Sequence, residues 1–265
     1  IAIKSRLEPG KMFLIDFAQQ RIIPDEELKE SMAAERPYQK WMAEKPLRVS
    51  TWVEESKAKP EPPPPREQLN SYLSMFGFTK ESVDVLVSAM VAGKEGLGSM
   101  GVDTPLAVRS VQPKAPSHYF KQLFAQVTNP PIDSIRERSV MSINMFLGGR
   151  LGLFEDMPQS AGFAKIASPV LYNSEIDTLF NVEGVKDRVF RLDATYDASA
   201  GAEGLEKAVE DLMERARATV EEKSAKVLIL TDRKVNQNRI GIPMLMATGA
   251  VHQTLVKDGL RLKCD

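Results

Sequence analysis

The spacing of apolar residues is most regular toward the end of the chain. Leu205, Val209, Leu212, Ala216 and Val220 recur at intervals of four, three, four and four, the stripe of an amphipathic helix over residues 203–223. That helix delivers the chain into Val227-Leu228-Ile229-Leu230, an apolar run that predicts a buried strand. Pro243 suits the opening of a last helix carrying Leu245, Thr248, Val251 and Leu255. Upstream, Thr79 is placed to cap a helix whose face holds Val83, Leu86, Val87, Met90 and Val91. A glycine-rich stretch and a short strand, Leu106-Ala107-Val108, follow it. Ser117 can cap a helix with Tyr119, Phe120, Leu123, Phe124 and Val127, stopped by Thr128-Asn129-Pro130-Pro131. Asp133 can cap the next, with Val140, Ile143 and Leu147 on its apolar face and Gly148-Gly149 at its end. Helices interleaved with strands predict an α/β layered domain over residues 71–265.

The first 70 residues read differently. Met12-Phe13-Leu14-Ile15 is a buried-strand run after the turn signal Glu8-Pro9-Gly10, and Pro24 suits the first position of a charged helix from Asp25 to Glu30. Residues 31–58 carry Trp41 and Trp52 among charges, rings suited to anchoring a segment across another surface. Lys59-Pro60-Glu61-Pro62-Pro63-Pro64-Pro65 lacks most backbone donors and is pinned in φ, so it predicts a stiff polyproline II connector. A ligand for a proline-binding domain is the sharper reading of the same residues. The chain thus divides into a strand-and-turn tail over residues 1–30, a connector over 31–70 and an α/β domain over 71–265.

Composition narrows the chemistry. Thirty-five Lys and Arg against 36 Asp and Glu leave a net charge of -1, without the basic excess expected of a nucleic-acid or anionic-membrane surface. One cysteine, Cys264, excludes an internal disulfide and an all-cysteine iron–sulfur or zinc site, and two histidines exclude a multi-histidine metal centre. The least polar stretch, residues 242–251, contains a proline and is too short to span a bilayer. With no start signal at Ile1 and no sign of a terminus at Asp265, the chain reads as a portion of something longer.

Individual motifs favour structure over catalysis. Gly96-Leu97-Gly98-Ser99-Met100-Gly101 fits the dinucleotide pattern, whose chemistry needs a strand before the glycines and a helix after them. Here a helix precedes and a strand is expected to follow, so a tight loop is the better reading. Lys94 is followed by Glu95, which is not a P-loop. His118 and His252 stand beside no nucleophile-elbow pattern; His252 reads as a packing or hydrogen-bonding residue and His118 as a helix start. Thr231-Asp232-Arg233 leaves the carboxyl end of a strand, where open α/β sheets bind ligands, although an exposed loop salt bridge is the better reading. Pro130 and Pro131 push Asn129 into extended backbone and remove two donors. Nearby carbonyls are then either free to meet a polar guest or part of a rigid corner.

Residues 119–137, running from Tyr119 through Thr128-Asn129-Pro130-Pro131 to Glu137, resemble the signature of the central domain of glutamate synthase. Residues 98–107 resemble the stretch preceding it in that family. Val227–Arg233 and Ile242–His252 resemble its last strand, loop and helix. Arg6–Asp16 with Arg21–Asp25 is similar to the tail of the class of amidotransferase domain that comes before it. Lys234 and Gln253 depart from the family pattern.

The resemblance implies a central α/β domain resembling a reduced version of a flavin barrel, preceded by a short β tail and an irregular connector. It implies a parent oxidoreductase that splits glutamine, passes ammonia internally and forms glutamate from 2-oxoglutarate on FMN beside an iron–sulfur cluster. The partners implied are the amidotransferase and FMN-binding domains of the same chain, with ferredoxin or an NAD(P)H-oxidising subunit or domain as electron source. The glutaminase nucleophile would lie before Ile1 and the flavin barrel after Asp265, so residues 1–265 are expected to be inactive alone and to hold neither metal nor cofactor. The compartment stays open between cytoplasm and plastid stroma, without membrane or nucleic acid. Thr128 and Asn129, with Met100 nearby, are the implied lining of an ammonia channel. The other reading is a stand-alone interaction module using the proline-rich and tryptophan segments.

Overall fold

The computed structural model describes residues 4–44, 47–48, 61–94, 96, 107–111, 114, 116–120, 132–133, 135–150, 154, 164–166, 168–181 and 185–265. The N-terminal part opens on an antiparallel hairpin of β1 (Leu14–Asp16) and β2 (Arg21–Ile23), with Ile15 opposite Ile22. Asp16 makes the turn by accepting the N–H groups of Ala18 and Gln19 at 2.8 and 2.9 Å. The expected buried strand is here an exposed one: Phe13 and Ile15 are 62% and 46% accessible, because a two-stranded ribbon has nothing to cover its apolar face. Helix α1 (Asp25–Ala34) follows with Pro24 at its N-cap in extended backbone, one position earlier than expected. In α2 (Tyr38–Glu44) Trp41 meets Tyr38 edge to face at 5.4 Å. Trp52 lies outside the described residues, as does the first part of the proline-rich stretch. Residues 61–65 are exposed, form no helix or strand, and hand over to α3 (Arg66–Met75).

The Thr79 cap is present: its Oγ1 accepts the Ser82 N–H at 3.1 Å. The helix it starts widens to π geometry over Ser82–Val87 and returns to α geometry in α4 (Ser88–Val91). Ala107–Arg109 is a turn of 3₁₀ helix rather than the strand expected there. Where a helix is expected from Ser117, Pro116–Tyr119 is a turn of 3₁₀ helix that ends before Phe120, and residues 121–131 lie outside the described residues. Asp133 caps as expected, accepting the N–H groups of Ile135 and Arg136, but α5 (Glu137–Val140) is one turn long. Leu147, the last residue of the anticipated helical face, belongs instead to β4 (Met145–Leu147). A small sheet places β5 (Ala164–Ile166) between β4, antiparallel, and β3 (Leu47–Arg48), parallel.

The best-packed part begins after α6 (Asn173–Thr178). Strand β6 (Val189–Asp193) pairs in parallel with β8 (Val227–Thr231), Val189 opposite Val227 and Asp193 opposite Thr231. Strand β7 (Thr195–Asp197) pairs antiparallel with β9 (Arg239–Gly241). Between β7 and β8 runs α7 (Gly201–Lys223), and α8 (Met244–Lys257) follows β9. Because side chains alternate along a strand, β6 and β8 present two different faces. Phe190, Leu192, Leu228 and Leu230 meet α7 and α8, in a core built on Leu212, Ala216, Val220, Val251 and Leu255. Val189, Val227 and Ile229 turn the other way, onto Ala164, Ile166 and Leu179. Both helices therefore lie on one face of the pair, as in the winding of an α/β barrel wall, and no barrel closes among the described residues. The fold is α/β, as expected.

The stripe of α7 is the expected one: Leu212, Ala216 and Val220 are buried, and Leu205 and Val209 pack against them. In α8 the stripe is shifted. Leu245 is 77% accessible and Thr248 exposed, while Ala247, Val251 and Leu255 are buried. A helix begun at Met244 carries residues 247, 251 and 255 on one line, with 245 and 248 round the side.

Candidate functional site

The sequence offers two candidate places, and the structure describes one of them. Thr128, Asn129 and Met100, the candidate channel lining, lie outside the described residues. The loop Thr231-Asp232-Arg233 does leave the carboxyl end of a parallel strand, and it sits beside the end of β6.

The chemistry at those strand ends is a set of ion pairs. Asp193, the last residue of β6, accepts the Thr195 N–H and hydroxyl on one oxygen at 3.0 and 2.7 Å. Its other oxygen faces Lys234 at 3.1 Å and Arg239 at 3.5 Å. Arg239 also donates to the Thr195 hydroxyl and carbonyl at 2.8 Å each, tying β9 to β7. Burial opposes ionisation of Asp193, and the hydrogen bonds from Thr195 and Lys234 outweigh it, so its carboxyl titrates below the ordinary range. On the neighbouring side Asp177 of α6 pairs with Arg191, whose guanidinium lies 4.2 Å from the Phe180 ring centre, and with Arg233 at 3.4 Å. These contacts bridge consecutive elements and leave a cavity of only 140 Å³ beside Thr231 and Arg233. Arg233 is held in a loop salt bridge, one of the two readings that the sequence allowed.

A larger groove, 460 Å³, runs along β8 between that strand, α8 and the end of the chain. Leu228, Leu230, Met244, Val251 and Leu255 make its apolar walls, with Asp232 among its lining residues. His252 also lines it, where the Arg261 Nε–H donates to Nδ1 at 3.1 Å, a hydrogen-bonding role as expected. Cys264 is 2% accessible, and burial pushes its thiol pKa up, which keeps it protonated and unreactive near neutral pH. His118 is exposed at the end of its 3₁₀ turn. Gly96, the first glycine of the series, follows a helix, and an added Cβ would approach the Leu86 carbonyl to 3.2 Å. Among the described residues no cluster of His, Cys, Asp and Glu has the arrangement of a metal site. None of their helices is long and apolar enough to cross a membrane. Strand β6 and the Asp193–Thr195–Arg239 set were not anticipated from sequence, although the alternation Val189, Arg191, Asp193 against Phe190, Leu192 is a strand signal.

With this geometry, the similarity to known proteins becomes decisive. The family model for the glutamate synthase central domain matches residues 71–265. The chain belongs to the glutamate synthase central domain family. A second family model, that of class-II glutamine amidotransferases, matches residues 1–41. The glutamate synthase (NADPH) large chain of Bacillus subtilis is 38% identical over 267 residues, covering 99% of this chain and 17% of its own length. Ferredoxin-dependent glutamate synthase 2 of Synechocystis is 39% identical over 268 residues, with the same shares of 99% and 17%. Glutamate synthase (NADH) of Schizosaccharomyces pombe is 36% identical over 270 residues, 98% of this chain and 13% of its own. The chain thus spans about a sixth of the length of the curated relatives it matches.

Proposed function

We propose that this central domain joins a glutaminase site to a flavin site in a parent oxidoreductase that makes glutamate from glutamine and 2-oxoglutarate. The observation that carries this is the succession of two family matches in one chain, amidotransferase over residues 1–41 and central domain over 71–265. Residues 1–30 are then the tail of the amidotransferase domain, residues 31–70 a connector, and residues 71–265 the linking domain. A single cysteine does not fit the ligand set of an iron–sulfur cluster, and a glycine series entered from a helix does not fit a flavin phosphate. FMN and the cluster belong to other parts of the parent on this reading, and so do the contacts with ferredoxin or with an NAD(P)H-oxidising partner. The names of relatives include both kinds of donor, and one relative from Oryza sativa, 35% identical, is described as chloroplastic. On this reading the parent is a soluble protein of the cytoplasm or the plastid stroma, the second of which is supported by the relatives described as chloroplastic.

Ammonia released at one site and consumed at another has to stay neutral and out of bulk water. Backbone carbonyls suit such a route, since they accept hydrogen bonds from ammonia without trapping its cation as a carboxylate does. Thr128 and Asn129 precede two prolines that cannot donate, so their carbonyls are the proposed acceptors, with Met100 as an apolar neighbour. None of the three acts as a catalyst on this reading. A stand-alone interaction module is the poorer reading: its surface would be residues 31–65, whereas the central-domain match runs over 71–265. The test is Thr128→Phe in the parent enzyme. Glutamine-driven glutamate formation should fall by about tenfold or more, equivalent to some 1.4 kcal/mol of barrier, while glutamine hydrolysis and ammonia-driven synthesis change little. Equal loss of all three activities would count against a channel role.

A further inference from the structure

The groove along β8 has an edge of backbone beside it. Among the described strands, β8 pairs with β6 alone, along one edge. On the other, the Leu228 N–H donates to the Asp265 carbonyl at 2.7 Å, and the Asp265 N–H donates to the Lys226 carbonyl at 3.0 Å. That is one rung of a parallel ladder, with Asp265 opposite Val227. The rung is firmly held. Gly148 N–H donates to the Asp265 carboxylate at 3.0 Å and Arg150 N–H to the Leu262 carbonyl at 2.5 Å. Arg261 donates to the Cys264 carbonyl at 2.6 Å, and an added Cβ at Gly149 would stand 1.9 Å from the Lys263 carbonyl. Cys264 is extended, at φ -146° and ψ 162°.

Backbone groups alternate in direction along a strand, so the Leu228 carbonyl and the Leu230 N–H and carbonyl point to the same free edge. Among the described residues nothing pairs with them. The two faces are also set. Cys264 is buried with α7 and α8, while Asp265 turns toward Gly148 on the opposite face. The next residue along such a strand would face the helices opposite Leu228, and the third after Asp265 would do so opposite Leu230. Both positions open on the 460 Å³ groove. A crossover from β8 through α8 back to the same sheet makes the β–α–β unit that parallel pairing requires.

We propose that the free edge of β8 is completed by a third parallel strand, the continuation of the Cys264–Asp265 segment in the longer protein. Its first and third residues after Asp265 are apolar side chains that fill the groove between Leu228, Leu230, Val251 and Leu255. The proposal rests on the reading that this chain is part of a longer synthase, and it concerns packing rather than ammonia transfer. Three parallel strands with their helices on one face extend the barrel-like winding by one unit.

Two measurements on the full-length parent test it. Amide hydrogen exchange should slow the Leu230 N–H by about a hundredfold or more relative to an open edge, to the level of Leu228. Inserting one residue directly after Asp265 reverses the alternation and should lower the melting temperature sharply. Inserting two restores the alternation and should recover much of that loss. Fast exchange at Leu230 in the unaltered parent overturns the proposal, even if both insertions unfold the protein. Equal effects of one and two inserted residues overturn it as well, and point to a ligand or another domain seated in the groove. Failure of the channel reading would show in the ratio of glutamine hydrolysed to glutamate formed, which neither readout depends on.

Discussion

Asp193 holds two parts of the fold together with one side chain, and its protonation therefore bears on stability. Its pKa is depressed in the folded state, so its contribution is complete above the unfolded carboxylate value of about 3.9 and is lost as pH falls through the folded value. Asp193→Asn should lower stability near neutral pH by about 0.5–1 kcal/mol, because the partly exposed Lys234 and Arg239 cations lose their counter-charge. Denaturant midpoints measured from pH 7 down into the acid range should show the gap between wild type and variant closing at low pH. Gly149 gives a second residue-scale expectation. Its closeness to the Lys263 carbonyl leaves no space for a methyl group, so Gly149→Ala should cost about 1–3 kcal/mol in an equilibrium melt. These two residues were hard to see in advance for the same reason. Each matters through a contact with chain distant in sequence, Asp193 with Arg239, 46 positions away, and Gly149 with the Lys263 carbonyl, and no local pattern records such a contact.

Helix α7 was the element most legible in sequence, since its five apolar residues keep a single face for about four turns with charges elsewhere. Leu212→Ala should cost about 2–5 kcal/mol, and Leu205→Ala less, since Leu212 is fully buried and Leu205 only partly. Chemical denaturation of the two variants side by side checks the order. Helix α8 was legible in existence but not in orientation. Nearly every residue from Met244 to Val251 is apolar or small, so periodicity could not choose between Leu245 and Ala247 as the buried side. Residues 145–147 failed in a different way. Val140, Ile143 and Leu147 fit a helical face, yet pairing of Met145–Leu147 with Ala164–Ile166 wins, a tertiary contact that overrides local spacing. Ala107 shows the limit of a three-residue run, which specifies a strand no better than a turn. The Thr79 and Asp133 caps were legible because a cap is local chemistry, an oxygen two or three residues before the N–H groups it accepts.

At the scale of the whole molecule the packing is uneven. Buried apolar residues concentrate around β6, β8, α7 and α8, whereas the β1–β2 hairpin presents Phe13, Ile15, Phe17 and Ile22 to solvent. Hydrogen exchange of residues 1–265 should accordingly show weak protection over 14–23 and strong protection over 227–230, and equal protection would contradict this. Among the described residues nothing covers the apolar face of this ribbon, and the amidotransferase family match runs over the same part of the chain, residues 1–41. The central proposal is that ammonia passes by way of this domain between two sites of the parent without release. The direct measurement is product labelling: the parent enzyme turns over unlabelled glutamine in a buffer of heavy-nitrogen ammonium, and glutamate is analysed for the label. The account predicts almost no label in glutamate from the wild-type parent and a rising fraction once Thr128 is enlarged to Phe. Glutamate from the wild-type enzyme labelled to the level of the bulk ammonium would contradict it.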